Sequence, residues 1–576
     1  MAITNLVAFL LLFLRAFSAE VHLNIDCGTS KSYNDVTDIK WVGDGAYVQS
    51  GESQTAKNSQ RSNGLSTLRV FKSKTKNCYS IPGFQETKVL LRAIFYYGNY
   101  DSSDSPPSFD LLLDENKWTT VHTTNDDWNN YDIIYVPKRQ NISVCLAQIN
   151  PNQFPFISML EVWSLDSNMY NQIDSSQALM LNQRYAFGSS DRISYPTDPY
   201  NRYWNAFSGN GLVSVSNSAS SVDVTQTKDQ VPSAVMSNAV RTSSTSTDFL
   251  VSTAALPPTH EVPIYLNMYF TEVQDLNPSS DLRRFNVMVD KKVIDVINPA
   301  YQTAVETTYA NIIASSKTQI VLAATSDSTL PPLVSGLELF IITDQLSNST
   351  TNITDVEGLA SLQEGFPALK EWSGDPCLPA EYPWDWVNCT NETTPRITSL
   401  LLSGYNLNGL LPNFSSLDAL QTIDLHNNSI TGNIPDFLAS FPNLTLIDVR
   451  DNNFTGYIPK WISEKANLEF RSSGNPYLCN IACPKPPSKH RVKKWLIGVL
   501  SSVIPTLVGA VVIAAVRYWC KCCKSRKEKA KPSDRALEST DSTALKTPRQ
   551  EVLPLKQTAQ KVVEGVICVT LEQVTN

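Results

Sequence analysis

VLLRAIFYY at 89–97 returns as IYLNMYFTE at 264–272, and FDLLLD at 109–114 returns as FNVMVD at 285–290. PFISMLEVW at 155–163 then returns as PLVSGLELF at 332–340. The offset between partners stays nearly constant over all three blocks, so the chain carries an internal duplication. The blocks are short runs of aliphatic and aromatic residues separated by turn formers, the pattern of antiparallel strands rather than helices. Two copies of one β-sandwich are expected, at 20–180 and 181–345, each long enough to close its own core.

Beyond them the period shortens. Leu400 and Leu402 with Leu407, Gly409 and Pro412 recur as Ile423 and Leu425 with Ile430, Gly432 and Pro435, then as Ile447 and Val449 with Phe454, Gly456 and Pro459. This is leucine-rich-repeat spacing, in which each coil turns the aliphatic residues of a short strand inward. An asparagine at the turn, here Asn428 and Asn452, hydrogen-bonds backbone groups. Tyr405 holds that position in the first coil, where a phenol cannot replace an amide, so this coil is expected to be irregular or capped. A linker and N-cap at 346–395 precede three coils over 396–483, which are marginal alone.

Two apolar runs set the compartment. Residues 495–516 carry no charge and are flanked by Arg491, Lys493 and Lys494 before and Arg517, Lys521 and Lys524 after, which predicts one transmembrane helix. Residues 6–17 are too short to span and end in Ser18 and Ala19, which makes 1–19 a secretory signal. A stiff spacer at 484–494 leads to the span, and a polar, disordered tail at 517–576 follows it. The basic run 521–531 is expected to touch anionic lipid.

Seven of the eleven cysteines then face the oxidising side. Proximity pairs Cys377 with Cys389 and Cys479 with Cys483, while Cys27, Cys78 and Cys145 leave one thiol over, with Cys27 to Cys78 the favoured bond. Glycosylation sequons start at Asn141, Asn348, Asn352, Asn388, Asn391, Asn413, Asn427, Asn443 and Asn453, all before the span. With 47 basic and 55 acidic residues the net charge is -8, and the bases gather around the span, which excludes a nucleic-acid surface. His22, His122, His260, His426 and His490 show no ligand spacing, so neither a metal site nor a nucleophile triad is expected, and no cofactor.

Asp26-Cys27-Gly28 near the mature start, FYYGNYD at 95–101, WSGDPC at 372–377 and the leucine-rich coils together resemble the plant receptor kinases that carry a malectin-like ectodomain followed by leucine-rich repeats, relatives of the symbiosis receptor kinases. The resemblance covers most of the chain from Asp26 to the juxtamembrane region. It implies a mainly β ectodomain of tandem malectin-like sandwiches and a short solenoid. It also implies that Gly374, Asp375, Pro376 and Cys377 form the linker element that in the family can be a processing site. The departure is at the far end, where the Gly-rich loop, strand lysine, catalytic Asp and metal-binding Asp of a kinase are not found, so no enzyme activity is expected. Residues 569–576 look like the segment that precedes the kinase in this family, leaving open a truncated gene model, a splice form or a kinase-less receptor.

Malectin binds carbohydrate through aromatic and carboxylate side chains at one end of its sandwich, and the resemblance points to Tyr96, Tyr97, Tyr100, Asp101 and Trp118 as a sugar platform. Alternation along 89–97 argues instead for burying some of these tyrosines. In the solenoid, Asp424, His426, Asp448 and Arg450 are expected on the concave face, where such folds take protein partners. The chain therefore reads as a single-pass type I plasma-membrane glycoprotein. It would recognise an extracellular glycan or peptide ligand and signal through a kinase-bearing co-receptor. A polysaccharide-binding cell-wall tether is the competing reading.

Overall fold

The structure, a computed structural model, describes residues 21–57, 63–209, 211–217 and 221–479. The expected signal segment, membrane span and tail lie outside the described residues, among which no helix is long and apolar enough to cross a membrane.

Val89–Phe95 is buried along its whole length. Val89, Leu91, Ala93 and Phe95 enter the core of the first sandwich, while Leu90 enters a second apolar cluster on the opposite face. A strand covered on both faces is apolar on both, which is why every residue of VLLRAIF except Arg92 is apolar. It lies in an 11-stranded sheet in which His22–Asp26, Met159–Ser164, Val89–Phe95 and Asn129–Tyr135 stand side by side. The sheet continues with Leu179–Phe187, Gly336–Ile342, Val262–Phe270 and Val305–Ala314, which repeat the first four strand for strand. The smaller sheets match too. Lys76–Pro82, Asn141–Gln148, Ser108–Leu113 and Asn116–His122 in the first copy correspond to Phe249–Val251, Ile320–Ala324, Phe285–Val289 and Lys292–Ile297 in the second. The copies are joined where Asn129–Tyr135 pairs with Leu179–Phe187.

A row of buried charges crosses that seam. Register sets Arg92 between Glu161 and Asp132, and Arg184 opposite Glu338. Arg92 donates Nε and Nη2 to Asp132, both at 2.8 Å, and Nη1 to Glu161 at 3.2 Å. Arg184 donates Nη1 to Asp132 at 3.3 Å and Nε to Glu338 at 2.6 Å. Burial alone would raise all three carboxyls, but the guanidiniums hold Asp132 and Glu338 below the ordinary range, while Glu161 stays above it.

Cys78 stands directly opposite Cys145, and these two form the disulfide. This corrects the expected bond from Cys27 to Cys78: Cys27 follows His22–Asp26 in the large sheet and is a buried free thiol. Cys377 is bonded to Cys389 as expected. Cys479 is also disulfide-bonded, and its expected partner Cys483 lies outside the described residues.

The disulfide of the first copy is the seat of the linker. Gly374 has φ +76°, and a Cβ there would sit 2.5 Å from the Cys78 Sγ, so a glycine is required. Lys76 donates Nζ to the Asp375 and Leu378 carbonyls at 2.7 and 2.6 Å, Ser373 Oγ donates to the Cys78 carbonyl at 2.9 Å, and Tyr382 OH donates to Asp110 Oδ2 at 2.8 Å. Asp375 turns back to accept from the amides of Thr351, Cys377 and Leu378. The linker is thus tied to the sandwich on one side and to the solenoid cap on the other. Beyond it, Ile397–Leu401, Thr422–Asp424, Leu446–Asp448 and Glu469–Arg471 pair in parallel, which adds a fourth coil to the three expected.

Replacing Arg92 by Ala removes the cation between Asp132 and Glu161, and should cost about 3–5 kcal/mol in denaturant unfolding, the usual price of an uncompensated buried charge. A loss within 1 kcal/mol would show that the row is not held by that cation. At the joint, burial pushes the Glu115 carboxyl up to about 7 despite the neighbouring Arg139. The folded chain then keeps a proton that the unfolded chain releases near 4.5, so stability falls as pH rises from about 4.5 to 7. Glu115→Gln should flatten part of that slope when unfolding midpoints are followed across the window. Glu306, also raised to about 7 by burial, retains the remainder.

Candidate functional site

The parallel strands of the solenoid bring one residue from each coil into a single row. Leu401, Asp424, Asp448 and Arg471 are aligned in register, and Ser403, His426 and Arg450 stand two residues further along their coils. The ladder beneath holds this spacing. Asn428 Nδ2 donates to the Leu402 and Leu425 carbonyls at 2.8 and 2.9 Å, and Asn452 Nδ2 to the Leu425 carbonyl at 2.8 Å. Asn475 continues the ladder, donating to the Val449 carbonyl at 2.8 Å, and its distance from Asn452 was the signal of the fourth coil. In the first coil the Tyr405 ring packs 5.6 Å from Trp372, so an aromatic cap stands where the amide is missing.

All four solenoid residues expected from sequence come together. His426 Nδ1 lies 2.7 Å from Asp424 Oδ1 and its Nε2 lies 2.8 Å from Ser403 Oγ. Arg450 donates Nε to Asp448 Oδ1 at 3.0 Å and Nη2 to Oδ2 at 2.6 Å, while Arg471 Nη1 stands 3.7 Å from the same carboxylate. Burial would raise Asp448, but the hydrogen bonds from Arg450 hold it below the ordinary carboxylate range. Asp424, His426 and Asp448 are close enough to share a cation, with ligand atoms within 4.8 Å of one another, a juxtaposition hidden by the scatter of histidines along the chain. Arg450 and Arg471 already neutralise that corner, so the arrangement is a network of ion pairs with partly exposed guanidinium edges. It suits a partner that offers both carboxylates and cations.

The aromatic platform is a correction. Tyr96, Tyr97, Tyr100 and Trp118 are buried in the first core. Tyr97 stands 5.4 Å from Tyr100 and 6.2 Å from Phe156, and its hydroxyl donates to Asp101. Rings packed edge-on and tilted against one another inside the core are closed to a sugar, and Asp101 is the exposed member of the group. Of the sequon asparagines, Asn352 is half-buried as the N-cap of Ile353–Gly365, its Oδ1 accepting from the Thr354 amide at 3.0 Å, and the other eight are exposed.

Tandem sandwiches clamped to a short parallel-strand solenoid define a modular, mainly β architecture of two malectin-like copies and leucine-rich coils. The chain belongs to the malectin-like domain family, whose model matches residues 25–342, and it carries leucine-rich repeats matched at 419–441 and 443–464. Among its relatives in Arabidopsis thaliana, the probable LRR receptor-like serine/threonine-protein kinase At1g05700 is 33% identical over 69% of this chain and 48% of its own length. The putative leucine-rich repeat receptor-like serine/threonine-protein kinase At2g19230 is 32% identical over 86% of this chain and 58% of its own. The chain thus spans about half the length of these relatives. The crystal structure of the ANX2 ectodomain from Arabidopsis thaliana superposes with a TM-score of 0.47 at 17% identity, over 56% of this chain and 97% of that one.

Because Arg450 is what lowers Asp448, Arg450→Ala should return that carboxyl toward its ordinary value. A depressed carboxyl contributes stability above its unfolded pKa that is lost as pH falls through the folded one. The variant should therefore be less stable at neutral pH and lose less on acidification, as read from unfolding midpoints between neutral and acid pH.

Proposed function

We propose that this chain is a receptor-like plasma-membrane glycoprotein that recognises an extracellular ligand or co-receptor through its malectin-like and leucine-rich-repeat domains, and that its concave solenoid face takes a protein or peptide partner. A kinase-bearing co-receptor would carry the signal inward, and the basic run after the expected span would rest on anionic lipid. The observation that carries this reading is the in-register row Leu401, Asp424, Asp448 and Arg471, on a solenoid held to the sandwiches through Gly374 and Lys76. The kinship with receptor-like kinases supports it. The burial of Tyr96 and Tyr97 weighs against the polysaccharide tether. A second reading, in which the chain is part of a longer receptor serine/threonine kinase, is supported by the greater length of the relatives, and sequencing the full transcript tests it.

The full chain, tagged and expressed in plant cells, should be trimmed by protease applied outside and shifted on a gel by glycosidase. It should also co-precipitate a membrane kinase. An Asp424→Ala/Arg471→Ala variant should keep the glycosidase shift and lose the kinase. Equal kinase recovery by the variant, or strong binding of the chain to a polysaccharide array, would remove the concave face from the reading.

A further inference from the structure

The buried row is not repeated intact in the second copy. Register makes Asn267 the counterpart of Arg92, Thr308 that of Asp132 and Glu306 that of Asn130, while Glu161 is matched by Glu338. The first copy sets a cation between two carboxyls and an amide beside them, Asn130 Nδ2 donating to Asp132 Oδ1 at 2.9 Å. The second copy has an amide where that cation stood and a carboxyl where that amide stood.

Another carboxyl closes on Glu306 from above. Asp229, 1% exposed, belongs to the segment 222–236 that covers this face, and its amide donates to Glu306 Oε2 at 3.1 Å. Asp229 Oδ1 accepts from the Tyr170 amide at 2.6 Å, and its Oδ2 accepts from Asn267 Nδ2 and, at 3.3 Å, from the Tyr265 hydroxyl. The buried cations nearby are engaged elsewhere. Arg202 is bonded to Asp198, the Tyr170 hydroxyl and the carbonyls of Asp229 and Gln230, and Arg184 to Glu338 and Asp132. Lys88 Nζ is taken by the carbonyls of Ser167, Met169 and Tyr170, and the Lys228 side chain is exposed. The other titratable groups facing Glu306 are Tyr265, Tyr269 and Glu338, none of which brings positive charge.

Two acceptors are left over. Glu306 Oε1 and the Oδ1 of the wholly buried Asn267 have no hydrogen-bond partner among the described residues. Glu306 lies diagonally across the strand pair from Asn267, and Asp229 is bonded to both. Carboxyls without a cation, beside acceptors without a donor, fit a proton: on Glu306 it removes one negative charge and supplies one donor. We propose that Glu306 and Asp229 form a proton-operated latch on the segment 222–236, closed while Glu306 is protonated and loosened when the proton leaves. Val222, Val231, Val235 and Met236 of that segment pack with Trp204, so loosening uncovers an apolar cluster of the second copy. The latch is separate from the concave face and does not rest on it.

The sign follows from burial, which together with the Asp229 charge pushes Glu306 up to about 7, against 4.5 for the ordinary carboxyl that an open segment would leave. The open fraction therefore rises with pH from about 4.5 to 7 and then levels off, a change of roughly ten- to a hundredfold between pH 5 and pH 8. Hydrogen–deuterium exchange of the purified full chain in detergent, corrected for the base-catalysed chemical rate, should show protection over 222–236 falling by that factor. Glu306→Gln keeps a neutral group of the same shape and should hold the protection at both pH values, whereas Glu115→Gln should leave the fall as it is in the parent. Should Glu306→Gln fail to fold, Asp229→Asn removes the neighbouring charge and should make the fall level off at lower pH. The latch is overturned if protection in the parent is equal at pH 5 and pH 8, if Glu306→Gln retains the fall, if Glu115→Gln abolishes it, or if Asp229→Asn levels off where the parent does.

Discussion

Asp132 and Glu338 belong to different copies of the duplicated sandwich, yet one guanidinium, that of Arg184, is bonded to both. A buried ion pair adds little net stability over a well-packed apolar pair, because desolvation offsets the attraction. What it adds is a penalty for every other arrangement. A one-residue slip between Asn129–Tyr135 and Leu179–Phe187 would exchange the faces of the strand and strand these charges in an apolar interior. The segment after Ser164 closes over the row: Tyr170 OH donates to Glu338 Oε1 at 2.9 Å, and Arg202 Nη1 donates to the Tyr170 oxygen at 2.9 Å. The row therefore sets the register of the seam, and the seam makes two sandwiches share one sheet.

That shared sheet leaves each sandwich with one outer face, and the two faces have diverged. In the first copy a disulfide, Leu112 and two buried lysines form a floor for the linker. Burial depresses Lys76 to about 8, and the carbonyls of Asp375 and Leu378 accept its hydrogen bonds. In the second copy Leu250 and Val321 replace the disulfide and Asp248 replaces the lysine. Duplication supplied two equivalent seats, and a change of charge sign gives the linker a choice between them, which is specificity by repulsion as much as by attraction. The position of the solenoid follows from that choice.

Much of this was legible in local pattern. Three aligned blocks revealed the duplication, and coil spacing revealed the solenoid with its ladder at Asn428 and Asn452. Cys389 lies 12 positions after Cys377, and proximity identified that bond. Proximity failed for Cys78, whose partner Cys145 is 67 residues away and is brought opposite by strand pairing, a non-local event. The tyrosines at 96 and 97 carry the composition of a sugar platform, but both are buried in the first core, where Tyr97 packs on Phe156 and Phe156 meets Phe95 and Phe109, and composition does not report packing. A signal for the buried row was present and unread: Glu161 and Glu338 occupy the same place in the two copies of one apolar block. A charge kept in an apolar run needs a partner, and Arg92 sits in another of the aligned blocks.

The concave face differs from the buried row in what its charges can do. Arg450 and Asp448 satisfy one another, as do His426 and Asp424, so a partner gains little by merely supplying another opposite charge. On the proposed reading it must match the placement of sign on this face, because a misplaced carboxylate would meet Asp424 or Glu469 while a well-placed one would meet the exposed edges of Arg450 and Arg471. Such a surface discriminates strongly and binds weakly. Four coils offer few apolar anchors, Leu401 among them, so tight association has to draw on surface beyond the row. Since the linker ties solenoid and sandwich together, a partner seated on the row as proposed would find the first sandwich at a fixed distance, and affinity would come from contacts shared between the two.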